Sequence, residues 1–259
     1  MPFDRLMLVL STLAFLAGVV PALRALVSGQ WQRGRGAQLV AMLAGFILQT
    51  LAVYGRGQVV GQCPMKSLSD ILVFIAWSIA LLYFLLGSAF RFSLLGMFTA
   101  PLLVAMQGLA FMVPNPFPAY PIKGRVDALV EIHVALALIA YAAFALACVT
   151  GSMYLLQERL LKRHLIGGLF YQLPPIQGLA RAIQRMVLLG VVLLSVSLVV
   201  SLFLTNPVGG PKLIVAWGVW GLYTLISLVI WRHALSPRQT ARLAALGFIL
   251  PLLSLWLVT

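Results

Sequence analysis

His133 is the residue best placed to do chemistry. It stands two positions after Glu131, where an apolar run from Val130 to Arg163 begins, and that run closes in a basic cluster. A neutral imidazole can ligate a metal through either ring nitrogen, and an ionisable group at a span end is a functional candidate. The same residue also reads as an interfacial histidine bonded to a nearby carbonyl or to Glu131. Asp70 opens another apolar run, and a carboxylate there needs a partner. Arg56 and Lys66 are the nearby cations, free to pair with Asp70 or to meet an anionic group of a ligand. The run Trp217-Gly218-Val219-Trp220-Gly221-Leu222-Tyr223 is the densest aromatic patch. It reads as core packing with its indole N–H groups bonded internally, or as a flat apolar wall for a planar ligand. His164 and His233 adjoin basic residues and read as interfacial. No P-loop, GxSxG, HExxH, CxxC pair or paired-carboxylate pattern occurs, so nothing points to a hydrolase, kinase or metalloprotease.

The elements that must position these residues are membrane helices. The chain is 62% hydrophobic and 9% charged, against about 25% charged in a soluble domain. Eight apolar runs follow one another, near residues 6–26, 37–55, 68–88, 93–112, 129–157, 185–205, 212–231 and 241–258. At about 1.5 Å per residue, each approaches the roughly 30 Å of a bilayer core. They do not alternate, which excludes a β-barrel. The expected fold is therefore an all-α polytopic bundle of about eight transmembrane helices, one domain over 1–259, with lipid as its solvent. The stripe His133, Ala137, Ala140, Phe144, Ala147, Gly151 is mostly small, which predicts a central helix approached closely by neighbours. The longest non-spanning piece, 158–184, contains a Leu173-Pro174-Pro175 break and is expected to carry a short surface helix. Gap four has four prolines between Pro114 and Pro121, which either shape a lid over the bundle or simply stop the fourth helix. The first run has no A-x-A-like site and reads as a span rather than a cleaved leader. Cys63 in a loop and Cys148 in mid-span are not expected to pair.

The net charge of +13 lies in the short gaps, which argues against nucleic acid as a partner. Gaps one, three, five and seven hold Arg24, Arg33, Arg35, Arg91, Arg159, Lys162, Arg163, Arg181, Arg185, Arg232, Arg238 and Arg242. The remaining six cations, Arg5, Arg56, Lys66, Lys123, Arg125 and Lys212, lie at the amino terminus and in the even gaps. By the positive-inside rule both termini and His133 are expected on the outer, periplasmic side of a bacterial inner membrane.

Taken in order, GRGQVVGQCPMKSLSDILVFIAWSIALLY, EIHVALALIAYAAFALACVTGSMYLLQERLLK, YQLPPIQGLARAIQRMVLLGVVLL and PKLIVAWGVWGLYTLISL resemble the cytochrome c assembly protein family, membrane proteins that handle haem, and most closely its HemX/CcsA-like branch. The resemblance implies haem held near the outer face. It places His133 at the family's outer histidine, as the axial ligand, and Pro211-Lys212, Trp220 and Tyr223 just after the family's tryptophan-rich loop, with Trp217 in the same aromatic wall. Arg56, Lys66, Arg125 and Lys212 lie on the side where they would meet haem propionates. That loop itself, of WGxxWxWD type, is missing: only Thr205-Asn206-Pro207-Val208-Gly209-Gly210 stands there. Gln49 replaces an intramembrane histidine, and Leu228 stands where another would be, so His133 alone matches the family's four haem-associated histidines. The function implied is an accessory protein of cytochrome c biogenesis that binds and presents haem, rather than a stand-alone catalyst. A second membrane subunit is its expected partner, and Met106 or Met112 is a candidate second ligand. The alternative is a haem-free structural subunit of the same fold. A transporter fits less well, because the spans carry little buried charge and show no internal repeat.

Overall fold

The computed structural model describes residues 2–28, 31–90, 95–114, 116–118, 127–164, 174–204, 210–232 and 235–258. Among them the secondary structure is entirely helical: α1 (Phe3–Ser28), α2 (Trp31–Val60), α3 (Leu68–Phe90), α4 (Leu95–Met112), α5 (Ala128–Lys162), α6 (Ile176–Ser201), α7 (Gly210–Trp231), α8 (Pro237–Gly247) and α9 (Ile249–Val258). Seven of these, α1 to α7, are long and apolar enough to cross a membrane. Arg125, His233, most of gap six, and the surface helix expected before α6 lie outside the described residues.

The expected eighth span is split into α8 and α9. Pro251 supplies the cause: it has no N–H to offer the carbonyl of Gly247 four residues back, and its ring crowds that carbonyl. The helix breaks at Phe248, directly after Gly247. The pair nonetheless runs antiparallel along α5. Arg238 meets Glu158 at one end, and Ser254 meets Tyr141 at the other. Those seventeen residues of α5 rise about 25 Å. A capping box of Ser236 and Gln239 starts α8.

The central place expected for α5 is observed. It packs against α3, α4, α6 and α8, and Ala140, Phe144 and Ala147 of the small stripe are all buried. Two glycines permit the close approach. A Cβ on Gly151 would lie 2.7 Å from the backbone oxygen of Ala241 in α8, and one on Gly190 of α6 would run into the Phe144 ring. In lipid, such packing and a few interhelical hydrogen bonds replace the hydrophobic drive between helices. Thr12 of α1 donates to Gln107 of α4, whose amide donates to Ser11, whose hydroxyl donates to the Gly45 carbonyl of α2. Gln49 donates to the Val73 carbonyl of α3.

Candidate functional site

His133 lies in the second turn of α5 and faces α6. Its Nδ1 is 2.8 Å from the Ser197 carbonyl oxygen and 3.0 Å from the Ser197 hydroxyl. That hydroxyl spends its proton on the His133 carbonyl, 2.8 Å away. A carbonyl only accepts, so Nδ1 must carry the ring hydrogen. The neutral imidazole is thereby held in the tautomer that leaves the Nε2 lone pair free, and Nε2 has no hydrogen-bond partner among the described residues. Nδ1–H donating to a backbone carbonyl is the arrangement typical of metal-bound histidine. Nothing in the sequence of α6 singled out Ser197 beyond its being a hydroxyl in an aliphatic run.

Glu131 does not serve His133. Its Oε1 accepts from the backbone N–H of Cys63 at 3.1 Å, which ties the α2–α3 turn to the start of α5. Burial, with a smaller contribution from the Glu131 carboxylate, pushes the Cys63 thiol above the ordinary thiol range.

At the same end of the bundle Arg56 and Asp70 form a buried pair. Arg56 Nε donates to Asp70 Oδ1 at 3.0 Å and Nη2 to Oδ2 at 3.4 Å; their side chains are 8% and 1% exposed. Arg56 Nη2 also donates to the Pro118 carbonyl at 2.6 Å. Of the two roles open to Arg56, the structure shows the ion pair. Phe117 reaches back from gap four, and the guanidinium groups of Arg5 and Arg56 each lie 5.8 Å from its ring centre. The described part of gap four thus covers α1 and α2. A cavity of about 20 Å³ lies there, bordered by Asp4, Arg5, Arg56, Asp70 and Phe117, with room for about one water molecule.

The remaining predicted residues are dispersed. Lys66 is exposed in the α2–α3 turn. Lys212 falls in the first turn of α7, its side chain outside the described residues. Trp217 and Trp220 meet edge to face at 5.3 Å, and the Trp220 indole N–H donates to the Ser195 hydroxyl of α6 at 2.8 Å. Ser195 and Ser197 are about 200° apart around α6, so α6 stands between Trp220 and His133. Tyr223 is buried and stacks on Phe144 at 3.6 Å, eleven residues or about 16 Å along α5 from His133. The structure therefore brings Tyr223 to the middle of α5 and does not bring the aromatic patch to the histidine. A second, apolar cavity of about 200 Å³ lies between α3, α4 and α9, bordered by Leu72, Leu109, Met112 and Leu252. His133 borders neither cavity.

The donor set at His133 suits haem iron, while the wall for the macrocycle is not assembled from the aromatic residues of α7. No group of three or more His, Cys, Asp or Glu side chains that could hold a metal ion occurs among the described residues.

Comparison with known proteins adds the following. A family described as "Cytochrome C assembly protein" matches residues 65–259. A relative from Brevibacillus brevis named Protein HemX is 31% identical over 170 residues, covering 64% of this chain and 61% of the relative. One of the same name from Bacillus subtilis is 26% identical over 155 residues, covering 60% and 56%. The matched region thus spans about three fifths of the length of these curated relatives.

Proposed function

The chain belongs to the cytochrome c assembly protein family, a multi-pass membrane family of cytochrome c biogenesis, and on that premise we propose that it is a haem-handling accessory protein of a bacterial inner membrane. Haem is the cargo and His133 Nε2 the axial ligand. The observation that carries this reading is the fixed tautomer: Ser197 holds Nδ1–H through its carbonyl and hydroxyl, so Nε2 is presented as a donor without reorganisation. The protein's task is to bind, orient and release. Iron bound through one histidine keeps its other axial position for a methionine, water or a partner's ligand. The chain's partner would be a second membrane subunit with a periplasmic domain; thioether attachment would need reduced cysteines and is not performed by this chain alone. Both termini and His133 lie on the periplasmic side in this reading.

The test is an absorption spectrum of the detergent-purified protein, oxidised and reduced, after expression with ample haem. A Soret band in roughly stoichiometric amount that is lost or shifted in His133→Ala supports the assignment. An unchanged band in that variant removes His133 as the ligand.

A second reading, a haem-free structural subunit, is favoured by one observation: α6 separates Trp217 and Trp220 from His133. It predicts a colourless, monodisperse wild-type protein under the same expression conditions.

A further inference from the structure

Among the described residues, buried side-chain polar atoms without a hydrogen-bond partner include an oxygen each of Asp4, Gln49 and Ser69 and the Tyr223 hydroxyl. Asp4 is the one residue of this kind that borders either cavity described above. It stands in the first turn of α1 and is 6% exposed. Its Oδ1 has no hydrogen-bond partner among the described residues. A carboxylate oxygen left so in the interior is costly, and buried acceptors are ordinarily met by protein or by an ordered water.

The lining suits a small polar guest. Arg5 donates from Nη2 to the Phe117 carbonyl at 3.3 Å, and a guanidinium has further N–H groups to give. Asp4 and Arg5 form no ion pair with each other among the described residues. Opposite charges on successive residues thus border one cavity without meeting. Phe117 has a φ of 55°, in the left-handed region that a bulky L-residue rarely enters. That backbone brings its carbonyl to Arg5 and its ring to Arg5 and Arg56. A strained loop residue is therefore held at the cavity's border by the same cations that line it.

Size and charge identify the guest. The volume of about 20 Å³ exceeds the roughly 10–15 Å³ that one water needs and is too small for a larger molecule. The bordering charges, Asp4 and Asp70 against Arg5 and Arg56, sum to zero. An ion of either sign would bury a net charge there, which is costly. A neutral guest that both donates and accepts meets the lining. We propose that this cavity is a binding site for one ordered water molecule, which donates a hydrogen to Asp4 Oδ1 and accepts one from the Arg5 guanidinium. Its second hydrogen has the Asp70 carboxylate and the Phe117 ring in the same lining, so the site offers the number of partners a buried water keeps. The water extends the Arg56–Asp70 pair of α2 and α3 into a network that includes the first turn of α1.

The experiment is a density map of the full-length protein, by crystallography or electron cryomicroscopy, at a resolution that shows ordered water. The expected result is one peak about 2.6–3.2 Å from both Asp4 Oδ1 and an Arg5 nitrogen. A peak about 2.0–2.5 Å from the carboxylate oxygens is a metal cation and overturns the proposal. So does a direct Asp4–Arg5 ion pair, or a cavity without a peak. In Asp4→Ala the peak is expected to vanish while the Arg56–Asp70 pair stays in place. A peak that persists at the same position in that variant shows that Asp4 is not its anchor and overturns the assignment. Should the variant not fold, the wild-type map decides by itself.

Discussion

At the scale of single residues, the Arg56–Asp70 pair is the one salt bridge with both side chains buried among the described residues. Removing one partner of a buried pair leaves a charge unpaired and costs about 3–5 kcal/mol, whereas replacing both with apolar residues of similar size costs far less. Arg56→Ala and Asp70→Ala are each expected to lower the unfolding midpoint in detergent sharply, and Arg56→Met/Asp70→Leu to recover most of the loss. Cys63 offers a pH-dependent readout. Its thiol is held above the ordinary range by burial and by Glu131, so at a given pH less of it is thiolate and alkylation is slower than for a free thiol. Glu131→Gln removes the carboxylate's part of that effect. The apparent pKa read from alkylation rate against pH should fall, and the rate near pH 8 should rise. An unchanged profile would show that the carboxylate has no hold on the thiol.

At the scale of elements, the contact of α8 with α5 depends on Gly151. A methyl group there would press on the backbone of α8, and overpacking of this kind costs about 1–3 kcal/mol. Gly151→Ala is expected to lower the unfolding midpoint by that equivalent. Gly108→Ala in α4, where nothing lies within 4 Å of the added carbon, is expected to be neutral or slightly stabilising. The long helices were legible from the sequence because apolar length is a direct physical requirement of a bilayer, and the small stripe correctly marked α5 as central. Arg56 was among the partners expected for Asp70, because it stands fourteen residues away, just before the turn joining two antiparallel helices. Ser197 was not legible as the partner of His133. It is 64 residues distant, and its decisive group is a backbone carbonyl, which leaves no mark in sequence. The separation of Trp220 from His133 was equally hidden, since it depends on which side of α6 each neighbour packs. The break at Phe248 was written in the spacing of Gly247 and Pro251, but an unbroken apolar run concealed it.

At the scale of the whole molecule, the family match begins at residue 65 while the partner of Asp70 lies before it, in α2. The α1–α2 hairpin is therefore not a detachable addition. A chain beginning at residue 61 would carry Asp70 into the membrane without its cation, and is expected to yield little folded protein. Asp70→Asn in that shortened chain should restore a measurable part of the yield, scored as the monodisperse fraction on size exclusion. If the shortened chain folds as well as the full one, the hairpin has no structural hold on the rest.

The split of the stretch expected as an eighth crossing also has a consequence in biosynthetic time. Ten residues of α9 rise only about 15 Å, and α8 carries two arginines, so neither segment is a membrane-entry signal by itself. Both emerge from the ribosome after α5, α6 and α7. Entry of this final stretch thus waits on a docking groove made by earlier helices, with Gly151 as its floor and Glu158 as its latch. Insertion and folding, separable steps for the other helices, become one event here.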